Sequence, residues 1–245
     1  MKQYSLLILS IFVCACSINI DTSSREKSSD IKNEKKNWDA DKPKTTKLPN
    51  DVRWVTNSSE YQLLCEQTYY NAWNNLSTTL KTADSQTAIV MDLDETVLDN
   101  SKYQIGLVKK NQSYNPESWS LWVNLKEAEL VPGAKQFIDS VRTTNVRIIF
   151  LSNRMAKNEL PTMENMKTLN IYETDDIFML RIDKPDKKHI RRSEIINGTG
   201  RISEIGPLKV LAYFGDARHD FPDPDNNYIF GQNMFMLPNP MYGKW

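Results

Sequence analysis

The alternation of short apolar runs with helical patterns is the feature that most constrains the fold of this 245-residue chain. Each apolar run is rich in β-branched or aromatic residues and is short enough to form a buried strand. The runs lie at residues 88–91, 146–151, 177–180 and 208–214. Apolar strands that alternate with helices predict an α/β fold, in which helices cover both faces of a parallel sheet.

Helical patterns fill most of the intervals between these runs. Apolar residues recur at spacings of three and four in residues 59–81, and Ser58 or Ser59 is placed to cap that helix. Further helices are predicted at residues 116–126, 133–144, 157–169 and 185–196, and short segments at 228–230 and 234–237. A chain of this length is expected to hold one sizeable α/β domain with extensions.

The N-terminus has the features of an export signal. Lys2 precedes an apolar run at residues 6–13 that is too short to span a bilayer. The run ends in Val-Cys-Ala-Cys, which resembles a bacterial lipobox with Cys16 as the lipidated residue, although an ordinary secretory signal cleaved nearby is the alternative. Residues 1–16 are therefore predicted to be a lipoprotein signal peptide. The prediction places the protein in a bacterial cell envelope, attached to the membrane through a lipid anchor.

The residues that follow predict a tether and then a folded domain. Residues 17–50 are polar and mixed in charge, which predicts a disordered tether, and residues 51–245 form the predicted domain. Ser17 after Cys16 favours sorting to the outer membrane in double-membraned bacteria. Charged residues make up 25% of the chain with a formal net charge of zero, so a nucleic-acid partner is not expected.

Polar side chains follow three of the apolar runs directly. Asp92 and Asp94 follow the first run, Ser152 and Asn153 the second, and Asp216 the last. Ligands of open parallel sheets bind just beyond the carboxyl ends of the strands, so these groups are expected to converge. Carboxylates, a hydroxyl group and a nearby lysine-rich segment suit a divalent cation together with a phosphate group.

Several segments together carry a family resemblance. The stretch DLDETVLDN with the following Tyr103 resembles the signature of the haloacid dehalogenase (HAD) superfamily. More narrowly, the chain resembles the class C acid phosphatases, bacterial lipoproteins that include the NMN-hydrolysing outer-membrane 5′-nucleotidase. The likeness runs from about residue 54 to residue 245 and includes the segments IIFLSNR, KKHIRR, YFGDARHDF and LPNPMYGKW. It implies a three-layer Rossmann-like parallel sheet with a small, mainly helical cap.

The resemblance also implies the chemistry. It implies a Mg²⁺-dependent acid phosphatase that hydrolyses phosphomonoesters, with nucleoside 5′-monophosphates or NMN preferred, through an aspartyl-phosphate. Asp92 would be the nucleophile, and Asp94 the general acid and then the base. Mg²⁺ would bind Asp92, the backbone carbonyl of Asp94, and Asp216.

Other positions receive supporting roles from the resemblance. Ser152 and the amide of Asn153 would bind a phosphoryl oxygen, and Lys188 would offset negative charge, with Lys184 and Lys187 as alternatives. Asp220 would hold metal-bound water or orient Lys188. In the family, the aspartate that corresponds to Asp216 is usually followed by Asn-Leu, whereas here it is followed by Ala217-Arg218. The effect of this loop on the metal is therefore left open.

The remaining candidates have weaker support. Tyr242 resembles an aromatic that stacks on the substrate ring, with Tyr114 as a weaker candidate, while Tyr242 could instead anchor the C-terminus. Thr96 could take part around the site or only cap its turn. Glu95 and Asp99 are expected to be solvated or structural, and Trp119 and Trp122 to belong to the core. His189 and His219 are expected at the surface, and the run KPDKKHIRR, apart from its site lysine, as a solvated basic face.

Two other functions stay open at this point. One is a non-catalytic surface lipoprotein, such as an adhesin or ligand binder, although Asp92 and Asp94 are both intact. The other is a sugar-phosphate phosphatase or phosphotransferase. A homodimer is a further possibility implied by the family alone.

Overall fold

A computed structural model describes residues 47–225 and 227–243 of the chain. The predicted signal peptide, the lipidation site Cys16 and residues 17–46 of the predicted tether lie outside the described residues. Those assignments therefore stay predictions. The first described helix begins at Asn50, one residue before the predicted start of the domain.

Helices and strands alternate through the described residues. The helices are α1 (Asn50–Asn57), α2 (Ser59–Thr82), α3 (Ser101–Lys110), α4 (Pro116–Leu125), α5 (Ala134–Arg142), α6 (Glu159–Thr168) and α7 (Lys188–Asn197). The strands are β1 (Thr87–Met91), β2 (Leu98–Asp99), β3 (Glu129–Leu130), β4 (Arg147–Phe150), β5 (Ile177–Phe178), β6 (Lys209–Gly215) and β7 (Met234–Met236). Five of these strands form a parallel sheet in the order β5-β4-β1-β6-β7.

The central strand β1 divides the core into two parts. Because side chains alternate along a strand, Ile89 and Met91 pack on one face of the sheet, whereas Ala88 and Val90 pack on the other. The first face is covered by α2, α5 and α6, and the second by α7 and the turn that follows it. The predicted three-layer α/β fold is confirmed.

Helix α2 supports the sheet from behind the β1 loop. Its observed start at Ser59 agrees with the pattern, and the Ser58 hydroxyl caps it by accepting a hydrogen bond from the Tyr61 amide at 3.1 Å. Further along the helix, the Tyr69 hydroxyl donates to the Thr96 carbonyl at 2.6 Å. The Tyr69 ring packs against the rings of Phe137 and Phe214, which also contact each other. Helix α2 therefore stabilises the turn after β1 through the buried Tyr69 side chain.

The cap is the segment between β1 and α5. It contains α3, α4 and the antiparallel pair β2–β3, in which Leu98 lies opposite Leu130. Two-residue strands are too short to produce a periodic signal, so β2 and β3 escaped prediction, and no helix was assigned to α3. The predicted mainly helical cap is present.

Two predicted segments differ in extent from the observed elements. The helix predicted from residue 185 begins at Lys188, because Asp186 closes a turn by accepting a hydrogen bond from the Ile182 amide at 2.9 Å. Residues 228–230 form no strand; Phe230 makes an isolated bridge to Met234. Within the described part of the chain, none of the helices combines the length and apolar character needed to cross a bilayer.

The buried Tyr69 hydroxyl gives a direct test of this packing. Tyr69→Phe leaves the Thr96 carbonyl buried without its donor, which should lower the free energy of unfolding by about 1–3 kcal/mol. Urea denaturation monitored by circular dichroism measures the change. Tyr70→Phe is the matched control, because Tyr70 is the next residue of the same helix and is 66% exposed. Equal effects of the two substitutions would contradict a stabilising role for this bond.

Candidate active site

The loop after β1 turns sharply and is buried. The Asp92 amide donates to the Phe214 carbonyl at 2.9 Å, so the sheet ladder continues one residue beyond β1. The amides of Val97 and Leu98 then both donate to the Leu93 carbonyl, at 2.9 and 2.7 Å. Glu95 has a φ of +58°, the left-handed conformation that closes this turn. The tight turn fixes Asp92 and Asp94 at the carboxyl edge of the sheet.

Lys188 lies at the centre of the site. It is the first residue of α7 and is 4% exposed. Its Nζ donates to Oδ1 of Asp92 and, at 2.7 Å, to Oδ1 of Asp220. Lys184 and Lys187, the alternatives from the sequence, are both exposed. The structure therefore brings Lys188 to the predicted nucleophile.

Asp216 completes a cluster of three acids. One carboxylate oxygen each from Asp92, Asp216 and Asp220 lies within 4.8 Å of the others. Oδ2 of Asp216 accepts a hydrogen bond from Nδ2 of Asn239 at 2.6 Å. Oδ2 of Asp220 accepts from the Ala217 amide at 2.9 Å, so both Asp220 oxygens are already bonded. Asp220 is therefore built to orient Lys188, while Asp92 and Asp216 are better placed to bind an ion.

The electrostatics of the cluster follow from burial of like charges. Burial raises the pKa of Asp92 to about 7 despite the opposing charge of Lys188. Burial, together with the carboxylates of Asp92 and Asp220, raises the pKa of Asp216 well above its usual range. Burial alone would lower the pKa of Lys188, but Asp220 and Asp92 outweigh it and raise that pKa. Lys188 therefore stays a cation at neutral pH.

The charge balance of this cluster fits a divalent cation. When they are ionised, the three carboxylates face a single ammonium group, so the cluster carries an excess of negative charge. Buried carboxylates that lie this close repel one another unless a cation separates them. Carboxylate oxygens are also the ligands that Mg²⁺ prefers in proteins. The residues present thus suit the divalent metal that the family resemblance implies.

Asp94 has two very different carboxylate oxygens. Its Oδ1 accepts from Arg154, whose Nε lies at 2.9 Å and Nη2 at 2.8 Å, and from Nδ2 of Asn100 at 3.0 Å. Its Oδ2 accepts from the Ser152 hydroxyl at 3.4 Å. Asp94 is outside the cluster of three carboxylates found among the described residues. The metal contact expected of the Asp94 backbone carbonyl stays a prediction.

Arg154 was missed by the sequence reasoning. It is 1% exposed, and besides Asp94 it donates to the Thr162 hydroxyl at 3.0 Å. The Trp119 ring lies 5.7 Å from its guanidinium group, a cation–π contact. Arginines are rarely buried, so the sequence gives no general reason to place one inside. The sequence signal that could have indicated a role in the site was its position two residues after Ser152, just beyond the end of a strand.

A second buried arginine holds the loop after β4. Arg191 donates from Nη1 to the carbonyls of Ser152 and Met179, and from Nη2 to Oδ1 of Asn153 at 2.7 Å. Burial lowers the pKa of Arg191 to about 10, so it remains charged at neutral pH. Ser152 itself is fully buried, and its Oγ accepts from the Arg154 amide at 3.1 Å. Both predicted phosphate-binding residues are thus fixed by arginines.

The weaker candidates lie in varied environments. Thr96 is buried, and its Oγ1 has no hydrogen-bond partner among the described residues, so it does not cap the turn. Glu95 is also buried, and its Oε1 accepts from the Asn100 amide at 2.9 Å, a structural role. Trp122 belongs to the core, as expected, whereas Trp119 is only partly buried.

The two candidate ring-binding tyrosines differ in exposure. Tyr242 is partly buried against the core and follows Asn239, the residue that binds Asp216, by three positions. Tyr114 is 56% exposed, and its ring centroid lies 6.2 Å from that of Trp119. The C-terminal segment that carries Tyr242 therefore runs beside the acid cluster, while Tyr114 lies at the cap surface.

The backbone at Gly215 passes very close to the Asp220 side chain. A Cβ at this position would lie 2.3 Å from Cβ of Asp220 and 2.6 Å from its Oδ2. Such contacts exclude any side chain unless Asp220 moves. A glycine at the end of β6, directly before Asp216, is therefore required by the Asp220–Lys188 pair.

Comparison with known proteins agrees with this geometry. The family model of the HAD superfamily, subfamily IIIB (acid phosphatase), matches residues 15–245. The class C acid phosphatase from Bacillus anthracis is similar in structure, with 29% sequence identity and a TM-score of 0.65, covering 78% of this chain and 83% of that chain. The same enzyme with tungstate bound matches with the same values.

The family match extends over most of the chain and includes all four strand-end and helix-start segments that form the site. The fold, the buried Asp92–Lys188–Asp220 arrangement and the acid cluster are those expected of a phosphomonoesterase. The chain therefore belongs to subfamily IIIB of the HAD superfamily, the acid phosphatases, and is a hydrolase of phosphomonoesters.

Proposed function

We propose that this phosphatase is Mg²⁺-dependent, forms an aspartyl-phosphate on Asp92, and prefers nucleoside 5′-monophosphates or NMN. The observation that carries the proposal is the buried Lys188, which bonds Asp92 and Asp220 beside Asp216 at the carboxyl edge of the sheet. Lys188 and the cluster provide a nucleophile, a cation for the phosphoryl group and acidic ligands for a metal. The tungstate bound by the Bacillus anthracis relative supports an oxyanion pocket in this fold.

The metal ligands in this proposal are Asp92, the backbone carbonyl of Asp94, and Asp216. Bound there, Mg²⁺ would offset the charge of the acids and of the phosphoryl oxygens. Asp220 would act through Lys188, since both of its oxygens are already bonded. In this proposal, Asp92 and Asp216 bind the ion and Asp220 orients Lys188.

The two chemical steps follow from the bonding of Asp92 and Asp94. In the first step Asp92 attacks phosphorus, the ester P–O bond breaks, and Asp94 gives its proton to the leaving oxygen. The proton belongs on Oδ2 of Asp94, because Oδ1 already accepts from Arg154 and Asn100. In the second step Oδ2 takes a proton from water, which attacks phosphorus and releases Asp92. Ser152, bonded to that same oxygen, would also bind a phosphoryl oxygen.

Removal of the nucleophile and of the metal tests the proposal. Asp92→Asn should abolish phosphate release from p-nitrophenyl phosphate and AMP, because an amide oxygen is a poor nucleophile for in-line attack. EDTA should inactivate the wild-type protein, and added Mg²⁺ should restore it. Turnover that persists without a divalent metal would exclude the proposed ligand set.

The role of Asp94 is tested in the same assay by the leaving group. Asp94→Asn should reduce kcat strongly for AMP, whose ribose oxygen needs a proton, and less for p-nitrophenyl phosphate, whose phenolate leaves unaided. Glu117→Gln, a change at an exposed acid of α4, is the control and should leave both rates unchanged. Equal losses on both substrates for Asp94→Asn would refute the acid role.

The proposed preference for nucleotides depends on Tyr242. Stacking of one aromatic ring on a base is worth about 1–3 kcal/mol in nucleic-acid binders. Tyr242→Ala should therefore raise KM for AMP or NMN roughly tenfold while barely changing p-nitrophenyl phosphate. Tyr114→Ala, at the exposed cap position, provides the comparison. A uniform loss across substrates after Tyr242→Ala would instead indicate an anchoring role against the core.

We further propose a location in the bacterial cell envelope, with the domain lipid-anchored through Cys16 to the outer membrane. A flexible tether of residues 17–50 would span about 30 Å, enough to clear the lipid headgroups. The acyl chains of a bacterial lipoprotein would make this attachment stable. The homodimer implied by the family stays a prediction.

The lipid anchor is tested by fractionation of cells that express the full chain. Cys16→Ser should block lipid processing and release the protein from the membrane fraction. Cys14→Ser, two residues earlier, is the matched control and should leave the protein on the membrane. Release by both changes, or by neither, would contradict Cys16 as the lipidated residue.

A further inference from the structure

A basic cavity opens beside the active site and shares Asn153 and Lys188 with it. Its volume is about 700 Å³, within the range of small-molecule sites. Most of the residues in its wall are Arg, Lys or His, and they include Arg181, Arg192 and Arg218. Asp223 is the one acid in the wall. The wall therefore favours an anion.

The cavity is continuous with the catalytic loops. Asn153 comes from the loop after β4, Lys188 from the start of α7, and Ala217 from the loop after β6. Lys188 also bonds the proposed nucleophile Asp92, so one side chain borders both spaces. A substrate whose phosphoryl group lies at Asp92 can therefore extend another group into the cavity.

Two arginines of the wall are held by neutral groups. Arg181 donates from Nε to the Asp183 carbonyl at 2.8 Å, and Arg192 donates from Nη1 to the His219 carbonyl at 3.0 Å. Backbone carbonyls fix the direction of a guanidinium group without cancelling its charge. These cations are consequently pre-organised for an anion, and guanidinium groups bind phosphate oxygens in pairs.

Arg218, in the loop after β6, adds a third guanidinium group to the wall. It pairs with Asp223 at 2.7 Å, but the Asp223 side chain is fully exposed, so solvent screens that pair. Burial lowers the pKa of His219; the charge of Asp220 opposes this shift, while the positive charges of Lys188 and Arg192 add to it.

We propose that this cavity is a second anion subsite, which binds a further phosphate group of a nucleotide substrate. It narrows the nucleotide preference proposed above, so that a nucleoside bisphosphate is hydrolysed more efficiently than the corresponding 5′-monophosphate. The inference rests on the proposed phosphatase chemistry at Asp92. One phosphate ester is hydrolysed there: its P–O bond breaks, water supplies the hydroxyl group, and inorganic phosphate leaves. The second phosphate ester remains intact in the cavity, so the product is a phosphomonoester.

The test compares substrates that differ by one phosphate group. The kcat/KM of the wild-type protein should be about tenfold higher for adenosine 3′,5′-bisphosphate than for AMP. Arg192→Gln and Arg218→Gln should each reduce kcat/KM for the bisphosphate about tenfold, because a charged hydrogen bond to phosphate is lost. Both should change the values for AMP and p-nitrophenyl phosphate less than about twofold.

Arg147→Gln is the matched control. Arg147 also donates to a backbone carbonyl, that of Ser85 at 2.8 Å, but it begins β4 and so lies at the opposite edge of the sheet. This change should leave all three substrates unaffected. Equal rates for AMP and the bisphosphate, or equal losses on all substrates in the cavity variants, would overturn the subsite.

A binding measurement separates this inference from the catalytic proposal. Asp92→Asn should bind adenosine 3′,5′-bisphosphate in calorimetry, and adding Arg192→Gln should weaken that binding about tenfold without a change for AMP. If the wild-type protein hydrolysed no phosphomonoester yet showed this arginine-dependent binding, the subsite would stand and the proposed reaction would fall. Affinity for the bisphosphate that did not depend on Arg192 or Arg218 would exclude the subsite.

Discussion

The site is organised by the need to neutralise buried negative charge at the carboxyl ends of β1 and β6. Asp92, Asp216 and Asp220 converge there, and Lys188 supplies a single compensating charge within the cluster. Unpaired buried charges are strongly destabilising, so the remaining negative charge must be shared with an ion or relieved by protonation. A centre of this kind is unfavourable for the bare protein and favourable for a metal with a phosphate.

Two buried arginines make this charged centre compatible with a defined geometry. Arg191 fixes the loop that carries Ser152 and Asn153, and Arg154 fixes one oxygen of Asp94. Arg154 also contacts Trp119 of the cap, and Trp122 donates to Oδ1 of Asn100, the residue that bonds Asp94. Side chains therefore connect the cap to Asp94, the proposed proton donor, and a movement of the cap would displace the groups that hold Asp94.

The sequence predicted the part of the structure that depends on repeating patterns. The strands around Ile89, Ile149 and Tyr213 were predicted because runs of β-branched and aromatic residues are typical of buried parallel strands. Helix α2 was predicted from a different pattern, the recurrence of apolar residues at helical spacing. The short β2–β3 pair escaped prediction because two residues cannot establish a period.

The candidate site was predictable where residue types are unusual and unpredictable where they are common. Asp92, Asp94 and Asp216 stand out because acids directly after apolar runs are costly unless they have a function. Arg154 and Arg191 look like surface residues in the sequence, and only the packing of the loops around them reveals full burial. The basic cavity was also unpredictable from the sequence, because its wall is formed by segments that are far apart in the chain.

The close approach at Gly215 also divides the loop after β6 into two sides with different freedom to vary. On the inner side there is no volume for even a methyl group, because Asp220 already occupies it. On the outer side Arg218 is exposed to solvent and to the cavity. If Arg218 binds substrate as proposed, changes in recognition can accumulate at this position while Asp216 and Asp220 stay fixed, so a lineage can acquire new substrates without rebuilding its proposed catalytic centre.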